Sequence, residues 1–215
     1  MIKKSYAGDF LLTEVIGAIQ DGNKEDAIQK AKTLFYNTKN MHDGLLDMFS
    51  LALNFIAEDK GEDGIGAVWR YIGEKKWSVA EGFKSGKLTY EDYKEYIRLG
   101  EMAHYSNFTA EEDDEKIVFS MHDCGVCGRM VKEGKLDTSD KNSLNFGAIK
   151  EPHDWTLGYT GMPYYCIHAP YFFNILGKEK GYDAFDFVWG RQFDEEGNPV
   201  DEPCKEIVYK IPRTL

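Results

Sequence analysis

The chain has 215 residues, and its 26 Lys+Arg against 37 Asp+Glu leave a formal net charge of −11. A field of that sign repels phosphate backbones, which argues against nucleic-acid binding. No apolar run reaches the length of a membrane helix, so no membrane partner is expected. The start, Met1-Ile2-Lys3-Lys4-Ser5-Tyr6, carries lysines with no apolar stretch behind them and is not a secretory signal, so a cytoplasmic protein is expected.

In chain order, residues 9–105 read as helices. Phe10, Leu11, Val15, Ile16 and Ile19 recur at helical spacing until Asp21-Gly22-Asn23 breaks the run. Asn23 caps a second helix through Ala27, Ile28, Ala31, Leu34 and Phe35. A third is expected from Asp43 to Glu58, apolar almost all round and therefore central and buried. Gly61 to Gly64 precedes an amphipathic series with Ile65, Val68, Trp69 and Ile72. Thr89, with Asp92 three positions on, opens a helix that closes near His104. His42, at the start of the third helix, reads as a structural residue. Antiparallel helices with short connections make a bundle-like half, residues 1–105.

After Tyr105 the pattern changes. The acidic run Glu111 to Glu115 reads as a solvated turn. Lys116–His122, Phe185–Trp189 and Glu206–Lys210 read as strands, and a helix runs from about Pro170 to Gly181. From Cys124 to Thr160 the chain has little periodicity, and so long an irregular stretch is usually functional or tied down. The fold class expected is α+β, an N-terminal antiparallel helical bundle packed on a small antiparallel sheet with one helix. Residues 106–215 form the Cys/His-containing half.

Chemistry concentrates in two places. The first is His122-Asp123-Cys124-Gly125-Val126-Cys127-Gly128-Arg129, where glycines let sulfurs converge and turn backbone N–H groups toward them. The second is Gly161-Met162-Pro163-Tyr164-Tyr165-Cys166-Ile167-His168, where an extended chain would put Cys166 and His168 on one face. Three readings stand side by side. Cys124, Cys127, Cys166 and His168 supply the donors of a tetrahedral zinc, or iron, site. Alternatively the cysteines are reduced thiols packed in a core, which suits the isolated Cys204. In the third, Cys124 or Cys166 is a nucleophile with His122 or His168 as its base. A C-x-x-C redox pair lacks the usual strand-to-helix context. Arg129 suits a carboxylate clamp or a structural ion pair. Of Tyr164 and Tyr165, one lines the pocket. His104 is a helix-end residue facing the second half, and His153 carries little weight.

Four segments in order, Met41-His42-Asp43-Gly44-Leu45-Leu46-Asp47, Glu112-Asp113-Asp114-Glu115-Lys116, Cys124–Arg129 and Gly161–His168, resemble a group of small bacterial proteins. That group is distantly similar to the L-2-amino-thiazoline-4-carboxylic acid hydrolase family, and the resemblance covers nearly the whole chain. It implies hydrolytic opening of a C–N or C=N bond in a small, cyclic or aromatic carboxylate. Members often read C-G-S-G-G-R at the turn, so Cys127 is a departure, and Cys124, Cys166, His168 and Arg129 are the steadier set. In that expectation His122, Cys124 and Cys166 are catalytic, Arg129, Tyr164, Tyr165 and His104 bind a small-molecule substrate, and the metal is zinc or iron. The rival expectation is a ligand-binding protein with a structural Cys/His knot.

Overall fold

The computed structural model describes residues 10–76, 79–136, 144–190, 200 and 202–213. The N-terminal hexapeptide and residues 137–143 of the irregular stretch lie outside them. The fold is α+β, with the order α1 (Phe10–Gln20), α2 (Lys24–Lys60), α3 (Glu62–Lys76), α4 (Val79–Lys84), α5 (Tyr90–Ala103), β1 (Asn107–Glu112), β2 (Lys116–Asp123), α6 (Cys127–Lys132), α7 (His168–Pro170), α8 (Gly177–Glu179), β3 (Asp183–Val188) and β4 (Cys204–Arg213). Among the described residues, no helix is long and apolar enough to cross a membrane.

The chain divides into two compact units, Met1–Asp47 and Met48–Leu215. The division falls inside α2 and not at residue 105, so residues 48–105 share a unit with the sheet. In the first unit, α1 and the beginning of α2 are joined by the expected break. Gly22 takes φ 71°, a conformation that costs glycine little, and Asn23 Oδ1 accepts the N–H of Asp26 at 3.2 Å. Ala18 and Ala27 are buried there.

The second and third expected helices are one helix of 37 residues. No proline lies between Phe35 and Asp43 to stop it, and a Lys39–Asp43 pair at i, i+4 spans the expected gap. Nor is the 43–58 stretch buried all round. Leu46, Ser50 and Leu53 are buried, whereas Phe55 is 71% exposed.

In the second unit an antiparallel sheet runs in the order β1-β2-β4-β3. Expected strands β2, β3 and β4 are present. β1 is the addition, four of its last residues being exposed and two of them acidic, so that it carries no alternating pattern. Asp113 Oδ1 accepts the N–H groups of Glu115 and Lys116 and turns the chain from β1 into β2. One face of the sheet presents Ile117, Phe119, Met121, Phe185, Phe187 and Val208 to the core. Helix α5 packs on β4 and β1. It starts at the predicted box, in which Asp92 accepts the N–H of Thr89 at 2.7 Å and Thr89 Oγ1 accepts the N–H of Asp92 at 3.3 Å.

The Tyr164–His168 segment is helical, which corrects the extended reading. A 3₁₀ turn, Tyr164–Ile167, leads through α7 into a π-helical stretch, Tyr171–Leu176, and then α8. Tyr171, Phe173 and Leu176 bury their side chains in the core, and Asn174 Oδ1 accepts the N–H of Phe187 on β3 at 2.8 Å. Near the start of this run Trp69 of α3 donates its indole N–H to the carbonyl of Tyr164 at 2.9 Å.

Candidate functional site

Helix α5 ends in a Schellman turn. Ser106 donates its N–H to the Glu101 carbonyl and Tyr105 donates to that of Met102, both at 3.1 Å, with Tyr105 left-handed at φ 57°. The turn brings Ser106 back over Glu101. Its hydroxyl bonds the Glu101 carboxyl and accepts the N–H of Gly125 at 3.3 Å. A Cβ at Gly125 would stand 2.0 Å from the His104 carbonyl oxygen. Only glycine lets the Cys124 turn lie this close to the end of α5, and that contact is the place of His104.

Cys124 follows β2. Its sulfur accepts the N–H of Val126 at 3.4 Å, with the N–H groups of Cys127 and Gly128 also directed at it. Burial pushes the thiol pKa up, and these amides only partly offset it. Cys127 opens α6 and is disulfide-bonded to Cys166 on the 3₁₀ turn, with Cα atoms 6.7 Å apart. The two cysteine-bearing segments therefore do meet, and Cys124 remains a free thiol beside their junction.

Two carboxyls complete the cluster. Glu101 falls on the stripe Tyr93, Ile97, Glu101 of α5, each four residues from the last. Glu206 shares its face of β4 with Val208 and is only 6% exposed. In the sheet it stands between Phe119 of β2 and Phe187 of β3. Burial raises the pKa of both carboxyls, and the charge of Glu101 raises that of Glu206 further. Cys204, two residues before Glu206, accepts the N–H of Gly190 at 3.3 Å. Burial pushes its thiol up to about 12, and Cys124, Glu206 and Glu101 add to the shift. Tyr165 is likewise pushed up to about 12, by burial and then by Cys124 and Glu101. Glu101, Glu206, Cys124, Cys204 and Tyr165 thus share one poorly solvated region.

Other expected site residues lie elsewhere. His122 is exposed on β2, its Nε2 2.8 Å from Thr109 Oγ1, so it does not join the sulfurs. His168 is half-buried beside Trp69 and Tyr165, and its Nδ1 donates to the Tyr165 carbonyl at 2.6 Å. Burial lowers its pKa, so the ring is neutral at pH 7. Because the segment is helical, Cys166 and His168 do not share a face. Arg129, 7% exposed, holds Glu133 through Nη1 at 2.6 Å. That partner is the residue that caps the end of α6, not one of the acidic run. Tyr164 packs its ring against Gly147, where a Cβ would come within 2.1 Å, and bonds Glu62. His153 also pairs with Glu62, at 2.8 Å, and stacks on Trp155. His42 pairs with Asp43 in the first unit.

The donor set does not fit a four-ligand zinc or iron centre. Cys127 and Cys166 are bonded to each other, and a disulfide sulfur is not the thiolate that these ions take. Among the described residues no three His, Cys, Asp or Glu side chains are grouped to hold a metal.

Glu101 and Glu206 were absent from the candidate residues. Their sequence signal is positional: each is an acid in phase with buried apolar residues of its own element. No family model matches the chain, and no significant match appears among curated proteins or solved structures.

Proposed function

We propose that the protein is a thiol-dependent hydrolase, with Cys124 as nucleophile and the Glu101–Glu206 pair as its acid and base. The observation that carries this reading is a free thiol that accepts backbone N–H groups near the half-buried carboxyl of Glu101, which is coupled in turn to buried Glu206. A carboxyl with raised proton affinity is a better base, and where the charge of one acid raises the other further, the first takes a proton while the second holds one to give.

The substrate class follows from the resemblance, a small cyclic or aromatic carboxylate with a C=N or C–N bond. Glu101 takes the thiol proton as the Cys124 sulfur bonds to the carbon of C=N. The π pair moves to nitrogen, which receives its proton from the carboxylic acid form of Glu206. Water then displaces the sulfur, giving a carbinolamine that parts into carbonyl and amine and restores the thiol. Arg129, the third residue of α6, offers its guanidinium for the substrate carboxylate, in exchange for Glu133. The reading places the enzyme in the cytoplasm.

Native alkylation with iodoacetamide at neutral pH, read by peptide mapping, should modify Cys124 before Cys204. Turnover of a panel of cyclic C=N carboxylates should fall about 10²–10⁴-fold in Cys124→Ser. Full activity in that variant, or in protein fully alkylated at Cys124, removes the reading.

A further inference from the structure

The C-x-x-C turn holds one free thiol and one half of a disulfide, and that arrangement has a chemical consequence. The Cys124 sulfur accepts the N–H of Val126, the residue next to Cys127, at 3.4 Å, so it sits within the turn that carries Cys127. On the other side Tyr165, the residue before Cys166, is close enough to Cys124 for a thiolate charge there to raise its pKa. Three sulfurs, Cys124, Cys127 and Cys166, are therefore gathered where the start of α6 meets the 3₁₀ turn.

We propose that Cys124, Cys127 and Cys166 form an internal thiol–disulfide exchange relay that carries the disulfide from Cys127–Cys166 to Cys124–Cys127. The Cys124 thiol gives its proton to Glu101, and the thiolate attacks the Cys127 sulfur. The Cys124–Cys127 bond forms as the Cys127–Cys166 bond breaks, and the electron pair leaves on Cys166, which takes a proton and becomes a thiol. One S–S bond is lost and one gained, so no outside oxidant or reductant is consumed. Cys204, hydrogen-bonded to Gly190, stands outside the exchange.

The relay deepens the functional reading at the same sulfur. In the isomer described here Cys124 is free to act, and in the other it is masked while Cys166 is exposed as a thiol. In a reducing compartment disulfides are mostly transient, catalytic or sensing, and a disulfide beside a resident thiol suits that use. Exchange itself does not depend on hydrolase activity, so the two ideas fail separately.

The test uses the wild-type chain. Protein incubated at a series of pH values is quenched in acid and denatured, its free thiols are blocked with N-ethylmaleimide, and its non-reduced peptides are mapped by mass spectrometry. The relay predicts a Cys124–Cys127 linkage with Cys166 labelled, its rate of appearance rising about tenfold per pH unit below the thiol pKa. Cys166→Ser should give the Cys124–Cys127 linkage in a glutathione redox buffer. Finding Cys127–Cys166 alone at every pH overturns the proposal, as does a Cys124–Cys166 linkage or a wild-type chain with every cysteine free. Loss of turnover in Cys124→Ser without any migrated linkage would leave the hydrolase standing and remove the relay.

Discussion

Glu206 of β4 lies under α5 with its carboxyl close enough to that of Glu101 for the Glu101 charge to oppose its ionisation. Two acids so placed make the stability of the second unit depend on pH in a definite direction. Both carboxyls hold their protons more tightly in the folded chain than in the unfolded one. Their contribution is therefore complete below the ordinary glutamate pKa of about 4.3 and is lost as pH rises through the folded values. Glu206→Gln removes the larger part of that loss. Relative to wild type, it should gain about 1–3 kcal/mol between pH 4 and pH 8 in urea unfolding. A constant difference across that range would mean that Glu206 holds its proton no more tightly in the folded chain than in the unfolded one.

Gly125→Ala tests the junction of the Cys124 turn with α5. The new methyl would meet the His104 carbonyl oxygen at 2.0 Å, and backbone on both sides would have to yield. A loss of about 1–3 kcal/mol is expected, with Cys124 alkylated faster than in wild type as its turn is pushed outward. Unchanged stability and unchanged labelling would contradict this contact.

Asn54 of α2 reaches the segment after residue 144 with both ends of its amide. Nδ2 donates to the Asn145 carbonyl at 2.8 Å and Oδ1 accepts the N–H of Gly147 at 2.7 Å. Asn54→Ala should cost about 1–3 kcal/mol and speed amide exchange at Gly147. Exchange at Ile117, in the middle of the sheet, should change only through the global stability.

Leu157 sits at φ 56° and is 41% exposed. A branched side chain is strained there and has little burial to lose. Leu157→Gly should raise stability by about 0.5–1 kcal/mol in thermal or denaturant unfolding. A decrease would show that the side chain contributes more than its exposure suggests.

The Thr89–Asp92 box, the Asn23 cap and strands β2, β3 and β4 were legible because local chemistry and side-chain period carry them. The continuity of α2 was not. A polar stretch such as Asn37-Thr38-Lys39-Asn40 reads as a break when no neighbour is in view, yet nothing in it prevents helix. At the site, glycines around Cys124 did signal amides turned toward sulfur, and the resemblance pointed to Cys166. The disulfide partner of Cys127 was not readable, because the helical form of Tyr164–His168 depends on burial of aromatic residues from distant elements. Glu101 and Glu206 were overlooked for a related reason. A glutamate in a charged, acidic chain looks like surface until the face of its element is traced back to Ile97 or forward to Val208.

The π-helical stretch from Tyr171 to Leu176 winds wider than the helix on either side of it, as one residue inserted into an α-helix would make it do. Removing one residue there would let ordinary winding resume and turn everything beyond it by about 100° around the axis. Asn174 would then swing off the edge of β3, and Leu176 would rotate out from beneath the sheet. The loose coil thus works as a phase adjuster, and the length of this segment should tolerate change less well than its composition.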